Sequence, residues 1–210
     1  MEYVTLVTEY FSGFWGKVEL AGTLFNLVCV YLAARHNQWT WPIGAVGVLI
    51  FGYLFYNFQL YSDASLQILF FLPMQVWGYM KWKELSEAAS NYSVTLSLTI
   101  GNLVNVGAGI AVLTILTGYL MSNYTDASFP YGDAWTTWMS VFAQILMIKK
   151  YWQSWVLWVV MDAGAIYIYA SKGLFVISGL YFIFLIIAAI GTIKWFNDWR
   201  KCDKMSLMNT

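Results

Sequence analysis

Trp155, Trp158 and Asp162 follow one another at steps of three and four, so on a helix they share one face, about a turn apart. They lie inside an apolar run over residues 152–170, long enough at about 1.5 Å per residue to cross a hydrocarbon core of ~30 Å. Asp162 then falls near the bilayer midplane, where a carboxylate costs at least ~2.5–3.5 kcal/mol on insertion scales. A helix that keeps such a group points it at a cavity or a partner. Two indoles above a buried carboxylate make a seat for an organic cation with an aromatic ring. The competing reading is a packing aspartate beneath two interfacial tryptophans.

A second stripe with chemistry in it starts at Asp63, from which steps of four reach Gln67, Phe71 and Gln75, with Gly78 and Trp82 beyond. Each glutamine carries two donors and an acceptor that lipid cannot satisfy. Uncharged amides suit a ligand rich in hydroxyl and carboxamide groups; the alternative use is glue between helices, worth ~0.6 kcal/mol per contact. Trp77 lies at the edge of the same arc, where packing would also explain it. Glu19, Asn26 and Gln144 are further polar positions that line a cavity wall or face a neighbouring helix.

These residues have to be positioned by membrane helices. The 210-residue chain is 60% hydrophobic and 10% charged, with mean hydropathy +0.60, against roughly 25% charged in a soluble domain. It therefore reads as a polytopic, all-α membrane protein embedded in the lipid bilayer. Net charge is zero and no basic block suggests nucleic acid. The first dozen residues, with Glu2 and Glu9, lack a positive n-region and a small-residue cleavage site, so the first span is expected to remain in the mature chain. Cys29 and Cys202 lie far apart, and His36 is the lone histidine, so no disulfide, metal site or hydrolytic centre is expected.

Seven apolar segments are predicted, over 15–34, 40–58, 61–81, 97–121, 134–150, 152–170 and 174–196. Arg35, Lys81, Lys83, Lys149, Lys150, Lys194, Arg200, Lys201 and Lys204 fall on one side, and Lys17 and Lys172 on the other. The positive-inside rule makes the richer side cytoplasmic, with the N-terminus outside and the C-terminus inside. That arrangement needs an odd number of spans, in agreement with seven. Trp15, Trp39, Trp135, Trp138, Trp152, Trp195 and Trp199 lie near predicted span ends and are expected to be interfacial belt anchors. Gly44, Gly47 and Gly52 should permit close helix contact.

Sliding the chain by 113–114 residues aligns its ends. Trp41-Pro42-Ile43 falls on Trp155-Val156-Leu157, Leu60-Tyr61 on Leu174-Phe175, and Gly78-x-x-Lys81-Trp82 on Gly191-x-x-Lys194-Trp195. As the repeat partner of Trp155, Trp41 joins the candidate substrate-binding residues. Spans one to three thus resemble spans five to seven. The expected architecture is two parallel three-helix repeats (3+1+3): a first bundle over 1–96, a linker helix over 97–121, and a second bundle with the tail over 122–210.

With these residues in place, the chain resembles the PnuC family of vitamin transporters. The resemblance rests on Leu60-Tyr61-Ser62-Asp63-Ala64-Ser65-Leu66-Gln67, on Gln75-Val76-Trp77-Gly78 through Trp82, and on Trp155-x-x-Trp158-x-x-x-Asp162, and it spans nearly the whole chain. It implies a SWEET-like architecture, a homotrimer in the bacterial inner membrane, no cofactor, and nicotinamide riboside as substrate. It also implies that Gln67, Gln75, Trp77, Trp155, Trp158 and Asp162 lie on or near that substrate. Relatives that carry thiamine or riboflavin are similar enough to keep the vitamin open. Nicotinamide riboside combines a cationic pyridinium, a carboxamide and ribose hydroxyls, matching indole faces, a counter-charge and two amides. Thiamine's thiazolium satisfies the same logic, whereas a flavin leaves Asp162 unexplained.

No chain of buried acids and no cluster of carboxylates and hydroxyls reads as a proton relay or a sodium site. Alternating access by facilitated diffusion is therefore expected, with net uptake needing intracellular trapping, for which the resemblance implies phosphorylation of the riboside by a separate kinase. A heptahelical photoprotein would need a lysine near the centre of span seven, but Lys194 lies at its end. An enzyme would need a nucleophile or histidine beside Asp162, and none stands at helical spacing.

Overall fold

In a computed structural model, residues 12–59, 61–88, 95–126, 129–171 and 175–208 are described. Glu2, Glu9, Leu60, Lys172, Gly173 and Leu174 lie outside them, as does the Asp63 side chain. Among the described residues the chain forms seven continuous helices: α1 (Phe14–Ala34), α2 (Thr40–Asn57), α3, α4 (Ile100–Tyr124), α5 (Pro130–Ile148), α6 (Gln153–Ser171) and α7 (Phe175–Met208). Helix α3 runs through Tyr61–Leu66, a π-helical turn at Gln67–Phe71, and Leu72–Ala88. Five helices, α1, α2, α4, α6 and the Ile177–Lys204 stretch of α7, are long and apolar enough to cross a membrane. The protein is a multi-pass, all-α membrane protein.

The chain divides into two compact units, residues 1–84 and 85–210. In the first, α2 packs against α1 and α3; in the second, α4 packs on α5, α5 on α6, and α6 on α7.

Each unit contains the same turn. Arg35 and Lys149 end α1 and α5, and His36 and Lys150 follow in the left-handed region at φ 56° and 58°. The Asn37 N–H donates to the Leu32 carbonyl at 3.0 Å and that of Tyr151 to the Leu146 carbonyl at 2.9 Å, while His36 and Lys150 donate to Ala33 and Met147. This is a Schellman closure with a side-chain-bearing residue where glycine is usual. Outside the spans, burial pulls the Lys150 ammonium below the ordinary lysine value.

Each unit also contains the same tryptophan pair. Trp41 meets Trp82 edge-on at 5.2 Å and 89°, and Trp155 meets Trp195 at 5.7 Å and 76°. A glycine sits beneath each pair: a Cβ built on Gly78 would overlap the Trp41 ring, and one on Gly191 would come within 2.6 Å of Trp155. Absent Cβ atoms let a flat indole lie on the helix backbone, and the edge-on geometry adds about 0.5–1.5 kcal/mol per pair.

Several expectations change. The span predicted to start at residue 97 becomes helical only at Ile100, with the Thr99 hydroxyl accepting from the Asn102 N–H. Before it, Leu96 pairs with the α5–α6 turn: its N–H donates to the Lys150 carbonyl at 2.9 Å and its carbonyl accepts from Trp152 N–H at 3.1 Å. Gln153 completes the clasp, its Oε1 accepting from Leu98 N–H and its Nε2 donating to Ser97 Oγ at 2.9 Å. Helix α7 continues to Met208, beyond the expected end at 196.

One expected belt tryptophan is a packing residue instead, and three others pack against neighbouring helices over part of their surface. Trp195 is fully buried against Trp155. Trp135 and Trp138 pack on a core of Ile110, Met139, Met161 and Ala165, with Trp138 Nε1 donating to Thr117 at 2.9 Å. Trp152 stacks with Trp199 and donates to Ser97 Oγ. Proximity to a span end does not decide whether lipid or a neighbouring helix covers a ring.

Candidate substrate site

The two units present two sets of candidate side chains, each positioned by its own helix packing. In the second unit, α6 turns Trp155, Met161, Asp162, Ala165 and Ile168 inward. Trp155 is wholly enclosed, its ring held between Gly191 and Trp195. Trp158, one turn on, is half-buried against the methionine core, and its Nε1 is buried without a hydrogen-bond partner among the described residues. The shared face is therefore graded, from a sealed indole through a half-covered one to the carboxylate.

Asp162 is 3% exposed. Among the described residues no hydrogen bond or ion pair reaches its carboxylate. Tyr181 of α7 lies within its electrostatic reach and stacks on Tyr169, the two ring centroids 5.3 Å apart at 15°. An isolated ionised carboxylate in such surroundings carries an effective penalty of several kcal/mol. A cation beside the carboxylate would offset part of that penalty.

Tyr169 and Tyr181 escaped the sequence reading. Their signal was weak: Tyr169 stands seven residues from Asp162, about two turns, but a tyrosine in a Tyr-rich span is unremarked until α7 brings Tyr181 alongside. Trp135, read as a belt residue, sets the edge of its ring against α6, where a Cβ on Gly164 would collide with it.

In the first unit the amides converge on the glycines of α2. Gln75 is 8% exposed, and its Oε1, without a hydrogen-bond partner among the described residues, would stand 2.7 Å from a Cβ built on Gly44. Gln67 Cβ faces Gly52, and Asn26 Oδ1 of α1 faces Gly47. The glycine stripe thus seats two carboxamides, those of Gln75 and Asn26, while Gly52 receives Ile68 and the Gln67 Cβ. Cys29 adds its thiol beside Gly44 and is tied to Thr40, whose hydroxyl donates to the Cys29 carbonyl at 2.8 Å.

Trp77 is 40% exposed on α3, away from the sealed Trp41–Trp82 pair. Trp41, like its counterpart Trp155, is buried in helix packing, and its Nε1 has no partner among the described residues. Glu19 is half-buried, and Gln144 is buried on α5.

The model of the nicotinamide mononucleotide transporter family matches residues 16–197. The nicotinamide riboside transporter PnuC of Escherichia coli (strain K12) is 26% identical over 214 residues, covering 90% of this chain and 89% of that protein. The riboflavin/roseoflavin transporter RibM of Streptomyces davaonensis is 25% identical, covering 86% and 83%. The crystal structure of the vitamin B3 transporter PnuC superposes with a TM-score of 0.73 at 20% identity, over 95% of this chain and 89% of that one, a likeness of fold. With the family match covering most of its length, this chain belongs to the nicotinamide mononucleotide transporter family.

Proposed function

We propose that this protein carries nicotinamide riboside across the bacterial inner membrane by facilitated diffusion. The observation that carries the reading is Asp162: a buried carboxylate inside a membrane-spanning helix, without an ion pair among the described residues, one turn from Trp158. A permanently cationic pyridinium supplies the missing positive charge, and the indole its π-face. A relative named for that riboside, aligned along nine-tenths of the chain, supports the same substrate. Gln67, Gln75 and Trp77 in the first unit, and Trp158 and Asp162 in the second, are the proposed contacts. Trp41 and Trp155, sealed in their pairs, hold the helices that carry them.

The fuller architecture belongs to the proposal: seven spans in two parallel triplets joined by α4, the N-terminus outside, the C-terminus in the cytoplasm, and three copies per assembly. The matching turns and the matching Gly-Trp-Trp groups of the two units support the repeat. Alternating access by the two triplets follows from it.

Counterflow tests the mechanism. Proteoliposomes loaded with unlabelled nicotinamide riboside should accumulate labelled riboside with no ion gradient present. A strict need for a proton or sodium gradient would overturn facilitated diffusion. The Streptomyces relative makes riboflavin the competing substrate, and it has no fixed positive charge for Asp162 to meet. Binding of riboflavin in preference to the riboside would reverse the assignment.

A further inference from the structure

Gln67 and Gln75 are eight residues apart, which in a regular α-helix leaves them about 80° out of line. Yet both come to α2: Gln75 Oε1 lies 2.7 Å from a Cβ built on Gly44, and Gln67 Cβ, beside the nearer Ile68, lies 3.6 Å from one built on Gly52. The reconciliation lies in α3 itself. Over Gln67–Phe71 the helix opens into one π-helical turn, in which the Leu72 N–H donates to the Gln67 carbonyl, five residues back. A π-turn takes in one extra residue, so two turns across it hold about 8.2 residues. Eight residues then bring the two side-chain directions into line.

The next residue but one is a proline. Pro73 has no N–H to give, and in a plain α-helix its ring would press on the carbonyl of Leu69. Widening the preceding turn relieves that contact, which is a physical reason for the bulge to sit where it does. Leu69, in the middle of it, is 76% exposed, so the bulge does not exist to bury that side chain.

We infer that the π-turn at Gln67–Phe71, set by Pro73, is a positioning device that aligns the Gln67 and Gln75 carboxamides for one substrate molecule. This rests on the reading of both glutamines as substrate contacts and adds the reason for their spacing. The turn and Pro73 act through the glutamines; they need not touch the substrate.

Two variants with the same seven-residue spacing separate the possibilities. In the first, Gln67→Ile with Ile68→Gln keeps the turn and moves the amide one position along, about 100° off line. In the second, deletion of Leu69 removes the extra residue and leaves Gln67 seven residues from Gln75, two α-helical turns to within about 20°. Binding of nicotinamide riboside to purified protein, read by calorimetry, should fall about tenfold in the exchange variant, the scale of one lost hydrogen bond. The deletion variant should bind within about threefold of the native protein, because alignment is kept. Native-like binding by the exchange variant would overturn the inference, as would lost binding by a deletion variant that melts like the native protein. If the deletion variant does not fold, the exchange variant decides alone.

Gln67→Ala and Gln75→Ala distinguish the two levels. Native affinity in both would remove the glutamines from the site and the inference with them. Weakened affinity in both, beside native binding by the exchange variant, would remove the π-turn alone.

Discussion

Exchanging Asp162 for asparagine keeps the shape of the side chain and removes its charge. The carboxylate is 3% exposed and has no ion pair among the described residues, so in the empty protein the substitution breaks no charge pair. It removes the several-kcal/mol effective penalty of a buried ion and introduces a neutral amide whose own burial costs about 1–3 kcal/mol. Stability of Asp162→Asn without substrate should therefore hold or rise, by up to about 2 kcal/mol. Substrate binding should move the other way. A contact to a charged group contributes about 1.5–3 kcal/mol, so affinity for nicotinamide riboside should fall about ten- to a hundredfold. The dihydro form of the riboside keeps the ribose and carboxamide but lacks the charge, and its affinity should change little. Thermal unfolding in detergent and calorimetric titration with both ligands read the three quantities separately. A loss of 3–5 kcal/mol in the empty protein is what removal of one member of a buried ion pair produces. That result, or an equal loss of affinity for charged and uncharged ligands, would refute the role given to Asp162.

Gly44→Ala should push the Gln75 amide aside, since the new methyl would stand 2.7 Å from Oε1 and 2.9 Å from Cys29 Sγ. Both neighbours can shift, so calorimetry should show weakened binding with a melting temperature near native. Gly78→Ala and Gly191→Ala meet rigid indoles instead, and each should lower stability by about 1–3 kcal/mol or more through overpacking, visible as earlier thermal unfolding. Gln153→Ala strips the Leu98 N–H of its partner and leaves the Ser97 hydroxyl with Trp152 Nε1 as its donor, which should cost about 1–3 kcal/mol in the same assay. Transport per folded molecule should be unchanged in Gln153→Ala, because the clasp lies away from the proposed contacts.

Local patterns carried much of the fold. Apolar runs of membrane-crossing length, broken by Arg35-His36-Asn37-Gln38 and Lys149-Lys150, place helices α1, α2, α5 and α6 within a few residues of where they form. The 113–114-residue offset matched Trp41 with Trp155 and Gly78 with Gly191, and those residues occupy equivalent places in the packing of their own units. Helical steps of three and four put Trp155 and Asp162 on one face, and both are buried on α6. This information is local, because periodicity depends on residues within a turn or two of one another.

What tertiary structure alone decided concerns which neighbour covers each face. Trp135, Trp138 and Trp195 stand at span ends, where composition favours an interfacial belt, but helix packing encloses Trp195 and covers part of Trp135 and Trp138. Steps of four from Asp63 assumed an unbroken α-helix through Gln67, Phe71 and Gln75. Pro73 warned of a defect without fixing its form, and the direction of the glutamines depends on one extra residue in the turn before it. Asp162 was legible as a costly group in a span, whereas the absence of an ion pair among the described residues and the nearness of Tyr181 depend on α7 coming alongside. Sequence fixes what a side chain can do through its chemistry and its phase on the helix. Its partners come from elements far along the chain, which meet it only when the helices pack.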